Sequence, residues 1–180
     1  MRKTLILVLL LLPFTAGWAQ NPPRHEVRLG WGDMLYESLV FPSASKTRGG
    51  NGYSGHLFAG YQYQLTEVVS VGGQLDYEAI RCRDMNNYDL VLMPTVRFTY
   101  LDGEWAELHS GLGAGILAAF DNQGGFEMAP ALDLNFVGVQ LGQGPLRIGL
   151  DLGCMISLMS THKIYLMGAR LLSVSLNYSF

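Results

Sequence analysis

The closing stretch, residues 164–180, constrains the fold more than any other part of the chain. Leu172, Val174, Leu176, Tyr178 and Phe180 alternate there with Ser173, Ser175, Asn177 and Ser179. A period of two gives a strand one apolar and one polar face. Chain ends are usually frayed and polar, so a terminal strand this apolar is expected to be held by a neighbour on each side. A sheet closed on itself supplies both neighbours.

The same period recurs upstream. Residues 26–32 set Val27, Leu29 and Trp31 against Glu26, Arg28 and Gly30, and residues 53–65 set Leu57, Ala59, Tyr61 and Tyr63 against His56, Gln62 and Gln64. Residues 69–80 oppose Val69, Val71, Leu75 and Tyr77 to Ser70, Gly72, Gln74, Asp76 and Glu78. Residues 90–101 oppose Leu92, Val96, Phe98 and Tyr100 to Thr95, Arg97 and Thr99. In 105–120 the apolar set is Leu108, Leu112, Ala114, Ile116 and Phe120, facing away from Glu107, His109, Gly111, Gly113 and Gly115. Residues 126–141 contrast Met128, Leu132, Leu134 and Phe136 with Glu127, Asp133 and Asn135; residues 146–156 contrast Leu146, Ile148, Leu150 and Leu152 with Arg147, Gly149, Asp151 and Gly153. With the terminal strand this makes eight. Turn signals fall at Thr66 and Glu67, at Asp102 and Gly103, and at 143–145. Asp33 as an N-cap and Pro42 as a stop bracket one or two expected turns of helix, 43–52 carries no pattern, and 81–87 reads as a polar loop.

Arg2 and Lys3 precede an apolar run over 5–12, then Pro13 and the small residues Gly17 and Ala19. This is the layout of a secretory signal peptide, with cleavage expected after Ala19 and a mature barrel over 20–180. Losing Arg2 and Lys3 takes Lys+Arg from 12 to 10 against 15 Asp+Glu, and the net charge from −3 to −5. Nothing in that balance points to nucleic acid. No downstream run is long enough for a spanning helix, which leaves strands as the only way across a membrane. Two cysteines are too few for a disulfide scaffold. Cys82 is expected in a loop and Cys154 at an outward position, with no bond between them.

Periodicity alone does not say which face is wet. Three features turn the apolar face toward lipid. After cleavage only Lys46 and Lys163 remain, both expected in loops, whereas a solvated strand surface uses lysine freely. The polar face mixes charged residues with glycines, as a narrow interior requires. Aromatics gather in two bands: Tyr61, Tyr63, Tyr100, Trp105, Tyr178 and Phe180 toward one rim, and Trp31, Tyr88, Phe120, Phe126 and Tyr165 toward the other. Three short turns alternate with connections that are mostly longer, and an even strand count then puts both termini on the short-turn, periplasmic side.

With the polar face inward, Glu26, Arg28, Asp76, Glu78, Arg97, Glu107, Asp133, Arg147 and Asp151 share the lumen with His109, Gln62, Gln74 and Asn135. Unpaired buried charge is costly, so this mixed-sign set is expected to pair internally as a plug. Arg170 breaks the terminal alternation; aimed at lipid near the midplane it costs about 2–4 kcal/mol. A β-bulge near Arg170 and Leu171 is therefore expected, returning Arg170 to the lumen and turning Tyr165, Met167 and Ala169 outward.

The signal peptide, the eight alternating segments and the terminal Leu176, Tyr178 and Phe180 series resemble the small eight-stranded outer-membrane barrels of the OmpX and OmpA transmembrane-domain type. The resemblance covers essentially the whole mature chain and implies an all-β, up-and-down antiparallel transmembrane barrel. In that family a terminal aromatic strand is read by the barrel-assembly machinery, and Tyr178 and Phe180 match that signal. The long first loop departs from the family, and no counterpart of the periplasmic peptidoglycan-binding domain of full-length OmpA is expected. The expected state is a monomer with no cofactor. Lys46, Arg48, Arg81, Arg83 and Lys163 on the long-loop side can pair with phosphates of an outer-leaflet glycolipid, or form an ordinary solvated loop surface with Asp84, Asp89 and Asp121 among them. The leading function is a structural or surface-binding role through the loops, 33–52 foremost. A narrow pore and a lipid A-modifying enzyme are the alternatives. His109 and Ser110 face opposite sides of one strand and form no catalytic pair, and no spacing resembles a metal site.

Overall fold

A computed structural model describes residues 24–40, 52–82, 85–121, 124–159 and 164–180. Eight strands follow one another: β1 (His25–Val40), β2 (Gly52–Gln64), β3 (Val69–Cys82), β4 (Met85–Asp102), β5 (Ala106–Asp121), β6 (Phe126–Leu141), β7 (Leu146–Met159) and β8 (Ile164–Ser179). Each pairs antiparallel with the next, and β8 pairs with β1 to close an up-and-down barrel. The closing seam runs from Glu26 opposite Ser179 to Val40 opposite Ile164, and His25 and Phe180 exchange backbone hydrogen bonds of 3.0 and 2.8 Å beyond it. No sheet edge is left open, which is what a strand-built membrane span demands.

The side-chain polarity is that of a barrel standing in lipid. Val27, Leu29, Trp31, Leu57, Leu75, Leu92, Ile116, Leu152 and Leu176 are exposed on the outer face, whereas Glu26, Arg28, Gln62, Asp76, Arg97, His109, Asp133 and Asp151 are buried inside. At the turn end His25 stacks on Phe180 with ring centroids 5.4 Å apart and bonds the Tyr61 hydroxyl at 2.6 Å. Toward the other end Tyr77 stacks on Tyr88 and Phe120 packs on Phe126. The inward glycines hold space for larger neighbours. A Cβ on Gly113 would meet Met93 Sδ at 2.6 Å, one on Gly30 would strike the Phe58 ring, and one on Gly138 would strike His109 and Asp151.

Three bulges reset the alternation. In β8, Leu172 pairs with Asp33 while Arg170 pairs with Met34, leaving Leu171 as the extra residue. This is the expected bulge, and it brings Arg170 opposite Gly153, on the lumen face of β7. A second, at Phe136, leaves Phe136 and Val137 both exposed and turns Gly138 and Gln140 inward. A third, at Tyr100, leaves Tyr100 and Leu101 both outward.

Several boundaries differ from expectation. No helix follows Asp33: β1 continues to Val40, because 34–40 pair along β8 and the ladder outweighs the capping signal. The first connection is therefore 41–51 rather than 33–52. Cys82 ends β3 instead of lying in a loop, and β4 begins at Met85, so 81–87 is mostly paired strand. Of the connections on that side only 41–51 is clearly longer than the opposite turns, and the length asymmetry rests on it alone. Cys154 pairs with Leu134 and Ala169, an outward register position, yet its small side chain is buried. The interior also departs from a purely polar filling, since Phe58, Val91, Met93, Leu117, Ala119, Ala129, Ala131 and Met155 lie buried in it.

Candidate functional site in the lumen

Two carboxylates anchor the network on the turn side of the lumen. Glu26 accepts from Arg97 Nη1 at 2.7 Å and from Gln140 Nε2 at 3.1 and 3.2 Å. Asp151 accepts from Arg28 Nη2 at 2.6 Å and from Asn135 Nδ2 at 2.6 Å, and lies 3.0 Å from His109 Nε2. Arg28 also donates through Nε to Asn177 at 3.2 Å and holds its guanidinium 5.7 Å from the centre of the Phe58 ring. Nearer the mouth, Arg147 donates to Glu107 at 3.3 Å and stands 3.6 Å from Asp102, which also faces Arg24. Arg28, Arg97 and Arg147 thus meet Asp151, Glu26 and Glu107 across four strands, β1, β4, β5 and β7, and charge-assisted bonds of this kind are the strong ones.

Local sequence explains why these groups can meet. Glu26 and Arg28 are two apart on β1 and share a face, as do Glu107 and His109 on β5. Gly138 opposite His109, and Gly149 beside Ser175 and Asn177, leave room for side chains reaching across from neighbouring strands. Gln62 donates to Thr95 at 2.8 Å, and Gln74 donates to Asp76 at 2.9 Å.

Of the residues expected in the lumen, Glu26, Arg28, Asp76, Glu78, Arg97, Glu107, Asp133 and Asp151 are buried and Arg147 is half-buried at the mouth. Asp76, Glu78 and Asp133 lie away from the two anchors, and none of them is without a partner. Of the basic rim set, Lys46, Arg48, Arg83 and Lys163 lie outside the described residues, and Arg81 falls within β3 opposite Tyr53. Tyr178 and Phe180 are exposed on the outer face at the seam. Gln140 was missed, although its place beyond an unbroken Phe136 alternation would have aimed an amide at lipid, the same signal that marks Arg170. Asn177 was visible only as part of a polar face.

His109 and Ser110 are separated by the sheet: His109 sits in the lumen, while Ser110 on the outside shares a hydrogen bond with the Tyr100 hydroxyl. Among the described residues no group of three or more His, Cys, Asp and Glu is placed to hold a metal ion. The network ends at an open vestibule of about 550 Å³ on the turn side, walled by Arg24, Gln64, Arg97, Glu104 and Arg147 among others.

The barrel has solved counterparts. Neisserial surface protein A superposes with a TM-score of 0.58 at 14% identity, covering 87% of this chain and 97% of that one. Ail, the attachment invasion locus protein of Yersinia pestis, superposes with a TM-score of 0.51 at 15% identity, over 86% of this chain and 98% of that one. At such identities the likeness is one of fold: this chain has the architecture of the small eight-stranded outer-membrane barrels. No family model and no curated protein matches the sequence.

Proposed function

We propose that this chain is an exported, monomeric β-barrel of a Gram-negative outer membrane, acting at the cell surface through its loops while a closed lumen holds the barrel rigid. The observation that carries the reading is the inverted polarity of a closed barrel: apolar side chains exposed around the outside, paired charges buried within. The shared fold of Neisserial surface protein A and Ail supports a surface role by fold analogy alone. A signal peptide over 1–19, periplasmic termini, recognition of Tyr178 and Phe180 by the assembly machinery, and glycolipid contact through Lys46, Arg48, Arg81, Arg83 and Lys163 belong to the same proposal. The connection 41–51 is the contact surface it favours.

The test is gel mobility of the mature chain refolded in detergent, unheated beside boiled, together with its fractionation from cells. A heat-dependent shift and co-sedimentation with the outer membrane support the reading. Solubility without detergent and no shift overturn it. Neutralising Arg81 and Arg83 is expected to weaken binding to glycolipid vesicles, and unchanged binding removes that part.

A further inference from the structure

Beyond the turn-side network the lumen changes character. Val91, Met93, Leu117, Ala131 and Met155, from four consecutive strands, form a packed apolar layer that is 0–5% exposed. Val91 pairs with Leu117 across β4 and β5, and Gly115 gives Met93 its space. On the turn side of this layer lies a cavity of about 20 Å³ among Arg28, Gln62, Thr95, Arg97, His109 and Asn135. Gln62 and Arg97 wall both this cavity and the 550 Å³ vestibule outside it.

Four buried atoms around the inner cavity have no hydrogen-bond partner: Gln62 Oε1, Arg97 Nε, His109 Nδ1 and Asn135 Oδ1. Two of them face one acceptor. His109 Nδ1 is 3.6 Å and Arg97 Nε is 3.9 Å from Glu107 Oε1, too far for direct bonds and suited to a bridging water. Buried polar groups are satisfied as a rule, and a polar cavity of this size holds about one water when two to four partners converge on it. The side chains of the layer offer no such partners, and Gln74 and Asp76, which stand opposite Met93 and Val91 on β3, are bonded to each other; apolar constrictions block ions by excluding water.

We propose that the lumen is a half-channel: solvent enters from the turn side through the vestibule and reaches an ordered-water site bounded by Gln62, Arg97, His109 and Asn135. There an apolar septum of Val91, Met93, Leu117, Ala131 and Met155 stops it. The barrier to ion passage is then desolvation at the septum rather than the salt bridges in front of it. This rests on the lumen alone and holds whichever way the barrel stands in its membrane.

Silver ion, a thiol reagent of about water size, tests both halves. In a Cys82→Ser, Cys154→Ala background, Thr99→Cys, Thr95→Cys and Val91→Cys are made singly and checked for heat-modifiable mobility. Each folded barrel is exposed to silver, unfolded and labelled with maleimide. Thr99→Cys and Thr95→Cys are expected to lose labelling quickly, with Val91→Cys at least about a hundredfold slower because it waits on opening of the packed layer. Silver reaching Val91→Cys within about tenfold of Thr95→Cys overturns the septum, and an unreactive Thr95→Cys overturns the water site. Planar-bilayer conductance is the independent check, and it needs no cysteine in the lumen. The natural chain is expected to be silent, and a folded Met93→Ala, Leu117→Ala double variant to pass discrete currents. Current through the natural chain, or silence from the folded double variant, overturns the septum as the barrier.

Discussion

Removing the Asp151 carboxylate should unsettle the lumen more than any other single change to its polar network. Three donors converge on it: Arg28 and Asn135 at 2.6 Å and His109 at 3.0 Å. The next carboxylate for Arg28 is Glu26, which stands 3.9 Å from its Nε and is already bonded to Arg97 at 2.7 Å. Asp151→Leu therefore strands a guanidinium that is 93% shielded from solvent (side chain 7% exposed). Breaking a buried pair from one side costs about 3–5 kcal/mol, and orphaning the Asn135 amide and the His109 ring adds roughly 1–3 kcal/mol each before relaxation. A loss of about 5 kcal/mol is comparable to the whole stability of a marginal domain. Adding Arg28→Met removes the stranded charge, and apolar replacement of a whole buried pair is often close to neutral. The double variant is expected to regain at least about 2 kcal/mol over Asp151→Leu, a coupling of the size seen between contacting residues. The assay is urea unfolding of the barrel in lipid vesicles, followed by tryptophan fluorescence and gel mobility, whose coincidence tests two-state behaviour. A cost below about 1 kcal/mol for Asp151→Leu at unchanged slope, or strictly additive single variants, would refute the reasoning.

Gly113→Ala forces a methyl against Met93 Sδ at 2.6 Å and is expected to cost about 1–3 kcal/mol; in a Met93→Ala background, whose own truncation costs about 2–5 kcal/mol, that increment should largely disappear, read from the urea midpoints. Leu75→Arg places a cation on the lipid face and should cost about 2–4 kcal/mol in vesicles, while Leu75→Val should cost far less. Phe180→Ala removes the stack on His25 and should lower stability by about 0.5–1.5 kcal/mol beyond its lost area, with a reduced yield of the heat-modifiable form. No change in either quantity would mean that the seam is held by the backbone pairs alone.

The outer face was legible because lipid imposes one rule on every outward position, and that rule survives in the bare order of residues. The β8 bulge was legible for the same reason: an arginine at a lipid-facing parity is an error that the fold must correct. Gln140 carries the weaker form of that signal, and it marks the Phe136 bulge just as Arg170 marks the one at Leu171. The apolar septum could not be read this way. Residues 90–93 are Leu, Val, Leu and Met without a break, so only the parity carried back from Thr95, Arg97 and Thr99 separates Val91 and Met93 from the lipid-facing Leu90 and Leu92, and no local signal says that they pack against Leu117, Ala131 and Met155. The extension of β1 was hidden for the opposite reason: Asp33 and Pro42 are local helix signals, and the partner that overrides them lies in β8.

Sequence by itself determined that eight amphipathic strands alternate with period two and which side of most of them is apolar, because side-chain direction on a strand follows from chain position alone. Tertiary structure decided which inward groups meet. Arg28 reaches Asp151, and Arg97 reaches Glu26, across separations of 123 and 71 residues. Those pairings depend on the stagger of the strands at closure, the three bulges and the glycines that leave room. Closure also brings Val91, Met93, Leu117, Ala131 and Met155 into one apolar cluster, since burial in a barrel depends on what arrives from the other strands.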